Sequence, residues 1–480
     1  MKETEDSEKI KAPPGFDRFL RLGMLIESDT KTLMVRLLHL IRGNGIYKMI
    51  PSRENRENYQ EFISAVHDGW KLAQKLIAIE VCKNLSEISS LEAQKSDFHI
   101  RKDSVEKSKT IEKIKKLSLE NNMLRRFVDS IVWHMFFDEQ STIRRLPMKK
   151  HGDNLSIKNI EDIQEVIDQY NECPMTIAIM ADLTTFVHHG DIALRSIQGT
   201  SFVEVKSGSK SKVLLDVMEH SEGLGCKLAE TILTKDFTRS EKQQYKRTKN
   251  QADRAKNLSS TLKTNEGYDQ LTGRKVKITE TKCDIKYYNK ELLGCRKRLE
   301  ENGTYAISVI DSCLHIGMYK EPEFAYVGFS SWMSMLKCSN PIYNLTDSFF
   351  DALARPLPSL NMPTEFIEEI INGKIIVMGC LNTRGFFELS RRLYPSMITL
   401  ARPPQNADIR AMHVDGEAMA MAMSDQGIQG YLGDGLMNRM RFDLQSPRSI
   451  LENQYATTNK YYYIPVHHQA SDDLAEESIG

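Results

Sequence analysis

The chain has 480 residues, and 65 Lys plus Arg balance 65 Asp plus Glu to a formal net charge of zero. That length supports roughly two to four domains and a core that needs no disulfide or metal staple. The 27% charged and 40% hydrophobic content excludes a disordered chain, and the charge balance excludes a histone-like one while allowing a local basic patch.

Residues 1–15 contain Pro13-Pro14-Gly15 and read as a loose arm. Met1 to Lys11 is charged and lacks the apolar core of a secretory signal. From Phe16 to about Asn121 proline is almost absent and apolar residues recur at three and four, as in Met34, Leu37, Leu38 and Ile41, which predicts helix. Residues 101–117 hold seven basic residues against three acidic ones and a narrow stripe of Ile111, Ile114 and Leu117, the pattern of a solvated amphipathic helix. Leu124, Phe127, Val128, Ile131, Val132 and Met135 then share one face of a period-3.6 helix. A further helix is predicted over 157–170, ended by Pro174. Short strands and turns follow over 175–207. A long Lys-rich helix is expected over 212–262, a strand over 275–280 and a helix over 284–301 with a C-cap at Asn302-Gly303. Strands over 304–310 and 313–318 close this part. Farther on, the sequence predicts a helix over 364–372, a buried strand from Ile375 to Met378, a Met/Ala-rich packed helix over 416–424 and an acidic loose tail from Ser471.

This order predicts a mixed α/β chain. A helical N-terminal region takes residues 1–120, a central core takes 121–320, and a smaller α/β C-terminal domain takes 321–480. The longest apolar stretches, such as Ile131-Val132-Trp133, are far short of the roughly 18 residues a spanning helix needs, so no membrane partner is expected. Eight cysteines form no Cys-x-x-Cys pair. Reduced thiols in the cytoplasm are the expectation, without a structural zinc.

The stretch that carries chemistry runs from Gly190 to Gly208. It reads as a β-hairpin turning at Gln198-Gly199, with Ile197 opposite Thr200, Asp191 opposite Lys206 and Ala193 opposite Glu204. Alternation then puts Asp191, Ala193, Arg195, Phe202, Glu204 and Lys206 on one face, and Ile192, Leu194, Val203 and Val205 on an apolar other face. Two converging carboxylates repel unless a cation lies between them, and Mg²⁺ (or Mn²⁺) suits carboxylate and carbonyl oxygens. A bound ion polarises a phosphoryl oxygen and acidifies its water, and a nearby lysine steadies the developing charge.

Asp191 followed by Glu204-Val205-Lys206 in an apolar strand resembles the PD-(D/E)XK superfamily of restriction-endonuclease-like nucleases. The resemblance implies an αβββαβ core and a Mg²⁺-dependent nuclease acting on DNA, with RNA as the other substrate class. Asp191 and Glu204 would bind metal, the Val205 carbonyl would join them, and Lys206 would assist the attacking water. Gly190 stands where many members have proline. The acid that many members place on the first helix has four candidates, Glu120, Asp129, Glu161 and Glu165. The later helix of the family often presents Gln or Arg to the scissile phosphate, for which Gln243 and Gln244 are candidates.

Residues 239–256 add seven basic residues against two acidic ones, among them Lys246, Arg247, Lys249 and Arg254. This stretch reads either as a phosphate-tracking surface or as a solvated helix face. His188-His189 and Asp182 lie close to the hairpin in sequence, where ordinary loop and capping roles account for them. A homo-oligomer or an activator protein is a further expected partner. The competing readings are a non-catalytic nucleic-acid-binding or scaffold protein built on a nuclease-like fold, and a helical nucleic-acid-binding regulator.

Overall fold

The computed structural model describes residues 28–49, 56–148, 155–205, 235, 237–268, 275–277, 283–404, 411–421 and 430–458. The stretch that apolar spacing reads as continuous helix is cut in two places. Helix α1 (Ser28–Gly43) stops at a Gly-Asn-Gly turn, and α2 (Arg56–Ile100) hands over to α3 (Ser104–Met135) through Arg101-Lys102-Asp103. Lys102 is left-handed (φ 58°), and the Asp103 carboxylate accepts from the Glu106 N–H, capping α3.

Helices α2 and α3 form a long antiparallel pair with two different halves. Near the body, Met123, Leu124, Phe127, Val128, Ile131 and Val132 of α3 are fully buried. The apolar helix expected over 124–135 is thus the last third of α3, which passes position 120 without a break. Farther out, between Leu85 and Leu119, only Leu91 and Thr110 are buried. There the basic 101–117 stretch forms the returning half of a projecting two-helix arm. A buried amide pair, Asn84 Nδ2 donating to Asn121 Oδ1 at 2.9 Å, marks its root.

A single-turn helix α4 (Gln140–Ile143) leads to α5 (Ile157–Asn171), whose first turn is capped by Ser156 accepting from the Asn159 N–H. Ile160, Ile163 and Ile167 bury the face of α5 that packs on strand β1 (Ile177–Met180). β1 is buried at all four positions, so no alternation marks it in the sequence. It pairs with β2 (Ile192–Ser196), and β2 pairs with β3 (Gly199–Val203), giving an antiparallel sheet in the order β1-β2-β3. Helix α6 (Arg239–Thr264) lies against β3 and leads to a two-stranded ribbon, β4 (Glu266–Tyr268) with β5 (Lys275–Lys277).

The second half opens with α7 (Asn289–Asn302), ended by the expected Gly303 cap at φ 80°. The antiparallel sheet that follows has the order β6-β7-β9-β8, from β6 (Tyr305–Ile310), β7 (Leu314–Tyr319), β8 (Ile342–Asn344) and β9 (Ile376–Leu381). Helix α8 (Pro322–Met335) packs on it, and α9 (Thr364–Ile371) and α10 (Thr383–Leu393) flank β9 in sequence. A last sheet joins β10 (Ile398–Ala401), β12 (Glu417–Met421) and β11 (His413–Val414), with β13 (Gly430–Tyr431) also on β12. Helices α11 (Asp434–Arg441) and α12 (Pro447–Thr458) complete the described fold.

The Met/Ala-rich stretch expected to be a helix over 416–424 is therefore strand over 417–421. Asp415 (φ 52°) and Gly416 (φ 87°) are both left-handed and form the two-residue turn that joins β11 to β12. Ala418, Met419, Ala420 and Met421 are all buried, so neither strand face is polar and the composition mimics helix. One hydrophobic cluster runs from Met34 in α1 to Leu451 in α12. The chain is thus mixed α/β with a helical N-terminal region. Among the described residues no helix is long and apolar enough to cross a membrane.

Candidate functional site

The hairpin forms where the sequence puts it, but its two-residue turn sits one residue earlier. Ser196 pairs with Gly199 and Arg195 with Thr200, so Ile197-Gln198 occupy the turn rather than Gln198-Gly199. Ile197 is exposed at the tip, which removes the reason to place it in the ladder. The register moves by two positions, an even number, so the facial assignment survives within the ladder from Ile192 to Val203. Ala193 lies opposite Phe202 instead of Glu204. The ladder ends at Ile192↔Val203. There the Asp191 N–H turns to the Val203 carbonyl, so neither Asp191 nor Glu204 is a paired ladder position.

Asp191 is held at the head of β2 by three bonds. Its N–H donates to the Val203 carbonyl at 2.8 Å, its carbonyl accepts from the Ala181 N–H at 2.9 Å, and its Oδ2 accepts from the Val205 N–H at 2.6 Å. Gly190 makes this entry feasible. It is left-handed (φ 68°), and a Cβ there would lie 2.9 Å from the Val203 carbonyl oxygen. Asp191, Glu204 and Val205 are all half-buried. Lys206 lies outside the described residues.

Two carboxylates and a backbone carbonyl are hard oxygen donors, which fits Mg²⁺ completing its coordination shell with water. Among the described residues no three His, Cys, Asp or Glu side chains converge as a metal cluster. The candidates for a first-helix acid are scattered. Glu161 and Glu165 are exposed on α5. Glu120 is buried at the root of the helical arm. Asp129 is fully buried and occupied: its Oδ2 accepts from Arg126 Nη1 and Thr185 Oγ1, both at 2.6 Å, and its Oδ1 accepts from the Thr185 N–H at 2.8 Å. Arg126 in turn donates from Nε to Ser348 O at 3.0 Å and from Nη2 to Ala354 O at 2.5 Å. This pair is a structural staple between α3, the loop after β1 and the second half of the chain.

The two histidines ahead of the hairpin also have structural contacts. His188 Nδ1 accepts from the Met148 N–H at 2.9 Å, and the buried His189 ring stands 6.0 Å from Phe202. On α6, Tyr245, Leu258 and Thr261 are buried. Gln243, Lys246 and Arg254 are exposed and Lys249 is half-buried. Gln244 and Arg247 lie on the same helix, with side chains outside the described set. Arg254 Nη1 approaches Met148 Sδ at 3.8 Å.

A cavity of about 460 Å³ opens between the hairpin tip, α6 and the end of α3, lined among others by Arg195, Thr200, Ser201, Ser259 and Phe137. The Arg195 guanidinium sits 5.1 Å from the Phe137 ring centroid. Asp191 and Glu204 stand at the opposite end of the strands and do not line it. A second cavity, of about 590 Å³, is walled by residues that no motif singles out, including His134, Asp138 and Arg355. Sequence reasoning passed over them because Asp138 and Arg355 are 217 residues apart. The nearest local signal is the Phe136-Phe137-Asp138 run that ends an apolar helix.

No family model matches the chain, and no match was found among curated proteins or solved structures.

Proposed function

We propose that the chain is a metal-dependent nuclease that hydrolyses phosphodiester bonds in DNA, with RNA as the other substrate class. The observation that carries the reading is the open end of the hairpin: the ladder stops at Ile192↔Val203, and just past it the Asp191 carboxylate reaches the Val205 N–H at 2.6 Å, next in sequence to Glu204. The succession of a helix, three antiparallel strands and the basic helix α6 adds to it. Among the described residues no fourth strand joins β1-β2-β3.

In this reading Asp191, Glu204 and the Val205 carbonyl would hold Mg²⁺ or Mn²⁺. The ion supplies charge neutralisation at the phosphoryl oxygens and an acidified water. Lys206 would orient the attacking water and steady the charge that develops on the phosphoryl oxygens. Lys246, Lys249 and Arg254 contribute positive charge on α6, which attracts a phosphate backbone and makes binding fall with salt.

One observation favours a second reading. The Asp191 carboxylate already accepts the Val205 N–H, a bond that clamps the two strands together. A hairpin clamped for structure alone suits a non-catalytic nucleic-acid-binding or scaffold protein.

The deciding experiment is cleavage of supercoiled and linear DNA with Mg²⁺ or Mn²⁺, comparing wild type, Glu204→Ala and Lys206→Ala. Metal-dependent cutting that disappears in both folded variants is the expected result. Equal cutting in all three would place the activity elsewhere. Metal-independent binding without cutting in any of them would favour the scaffold.

A further inference from the structure

Past the end of α3 two consecutive residues, Phe137 (φ 53°) and Asp138 (φ 59°), are left-handed. For a bulky side chain such as Phe137 this conformation is strained and persists where the surroundings hold it. The turn delivers Asp138 into the cavity of about 590 Å³. That volume lies within the roughly 300–1,000 Å³ of small-ligand pockets. The walls come from remote parts of the chain: Arg42 of α1, Trp70 of α2, His134 of α3, Tyr287 ahead of α7, and Arg355.

The polar groups form an ordered chain. Arg355 Nη2 donates to Asp138 Oδ2 at 2.5 Å, and His134 Nδ1 lies 3.5 Å from Asp138 Oδ1. The His134 ring stacks on Trp70, 6.1 Å between centroids and 14° from parallel. Burial works against the Asp138 carboxylate, but the His134 ring and the Arg355 guanidinium outweigh it and hold its pKa below the usual value. Arg355 is 4% exposed and spends Nε and Nη2 on Ser359 and Asp138. Its Nη1 makes no hydrogen bond among the described residues.

Arg42 has a different part. It donates to the carbonyls of Pro358, Leu360 and Met362 and to Thr364 Oγ1, so it is a fixed positive charge in the wall. Burial, followed by repulsion from Arg355, brings its pKa down to about 10, which leaves it protonated at neutral pH. Among the residues that line the cavity, two guanidinium groups thus face one carboxylate, while Glu365 acts on Arg42 and Asp443 on Arg355 from behind the wall. Two exposed aromatic rings, Phe137 at 77% and Tyr287 at 39%, border the same space.

We propose that this cavity binds a nucleoside monophosphate, with Arg355 Nη1 and His134 on the phosphate monoester and the base stacked on Phe137 or Tyr287. A phosphate monoester carries about −1.5 to −2 at neutral pH and three acceptor oxygens, which suit the unused Arg355 Nη1 and the two guanidinium groups in the wall. A base stacks on an aromatic side chain whatever its identity, and Phe137 and Tyr287 are the exposed rings on this cavity that can supply that contact. The site does not depend on the nuclease reading, since neither Asp191 nor Glu204 lines this cavity.

The test is calorimetric titration of the full chain, without divalent metal, using AMP, adenosine and inorganic phosphate. AMP is expected to saturate one site, with adenosine and phosphate each weaker by about tenfold or more. His134→Gln and Phe137→Ala should each weaken AMP by about fivefold or more, and Phe137→Ala should do so with the unfolding midpoint in place. Phe137 is exposed, so its truncation leaves the core intact. No saturable AMP binding would overturn the proposal, as would undiminished affinity in both variants. Phosphate binding as tightly as AMP would overturn the ring contact, and adenosine binding as tightly would overturn the phosphate contact.

Discussion

Replacing Asp129 with alanine separates a metal ligand from a structural staple. The Asp129 carboxylate and the Arg126 guanidinium are 0% and 1% exposed, and the carboxylate accepts three bonds. Its removal leaves a buried guanidinium without a counter-charge, which costs about 3–5 kcal/mol when one partner of such a pair is lost. The Thr185 N–H loses its acceptor as well, a penalty of about 1–3 kcal/mol that overlaps with the first because the groups share one network. We expect Asp129→Ala to destabilise the protein by about 4 kcal/mol. Asp129→Asn keeps an acceptor for Thr185 and should cost roughly half as much. Urea denaturation followed by tryptophan fluorescence reads this directly, because Trp133 is buried one turn farther along α3. A loss below about 1 kcal/mol for Asp129→Ala would refute the reasoning, since exposed pairs contribute in that range. Unchanged stability with abolished cleavage would return Asp129 to the list of metal ligands.

Three further outcomes are expected. Gly190→Ala must place a methyl group 2.9 Å from the Val203 carbonyl in a left-handed residue, so it should cost about 1–3 kcal/mol in urea denaturation and loosen the strand that carries Asp191. Burial raises the Asp443 carboxyl to about 6 against the pull of Arg144, Arg355 and Arg439. Because its folded pKa lies above the unfolded value of about 3.9, this group favours the folded state below about pH 4 and that contribution disappears as pH rises through about 6. Wild type should therefore lose up to about 3 kcal/mol relative to Asp443→Asn between those limits, and a pH-independent difference would contradict this. Finally, Cys338 Sγ and Cys380 Sγ are 3.6 Å apart. Diamide should oxidise the two thiols to a disulfide, its azo group taking up the two hydrogens, and peptide mapping should find that crosslink and lose it in Cys338→Ser.

The sequence made local order legible and long-range order opaque. Helix α5 was readable because its three buried isoleucines repeat at three and four, and α7 because Gly303 caps it. The hairpin's faces were readable because alternation survives an even shift, whereas the turn itself was not. Glycine marks either the second turn residue or the first residue after the turn, and Gln198-Gly199 fits both patterns. The strand at 417–421 was hidden because burial on both faces erases its period. Asp129 has the composition of a metal ligand, and only the distant Ser348 and Ala354 carbonyls around Arg126 show why it is not available. The cavity around Arg355 left no trace in spacing at all.

The projecting half of α2 and α3 has a thermodynamic consequence of its own. It extends roughly 24 Å beyond Asn84 at 1.5 Å per residue, yet it buries only Leu91 and Thr110. So thin a seam contributes little apolar burial, and the arm unravels at a lower free energy than the body to which it is rooted. All three tryptophans, Trp70, Trp133 and Trp332, lie outside it. Fluorescence is therefore blind to its melting, while far-UV ellipticity is dominated by helices such as these. The two signals should part in dilute urea, ellipticity falling first, and the gap between the curves reports the arm as a separate cooperative unit.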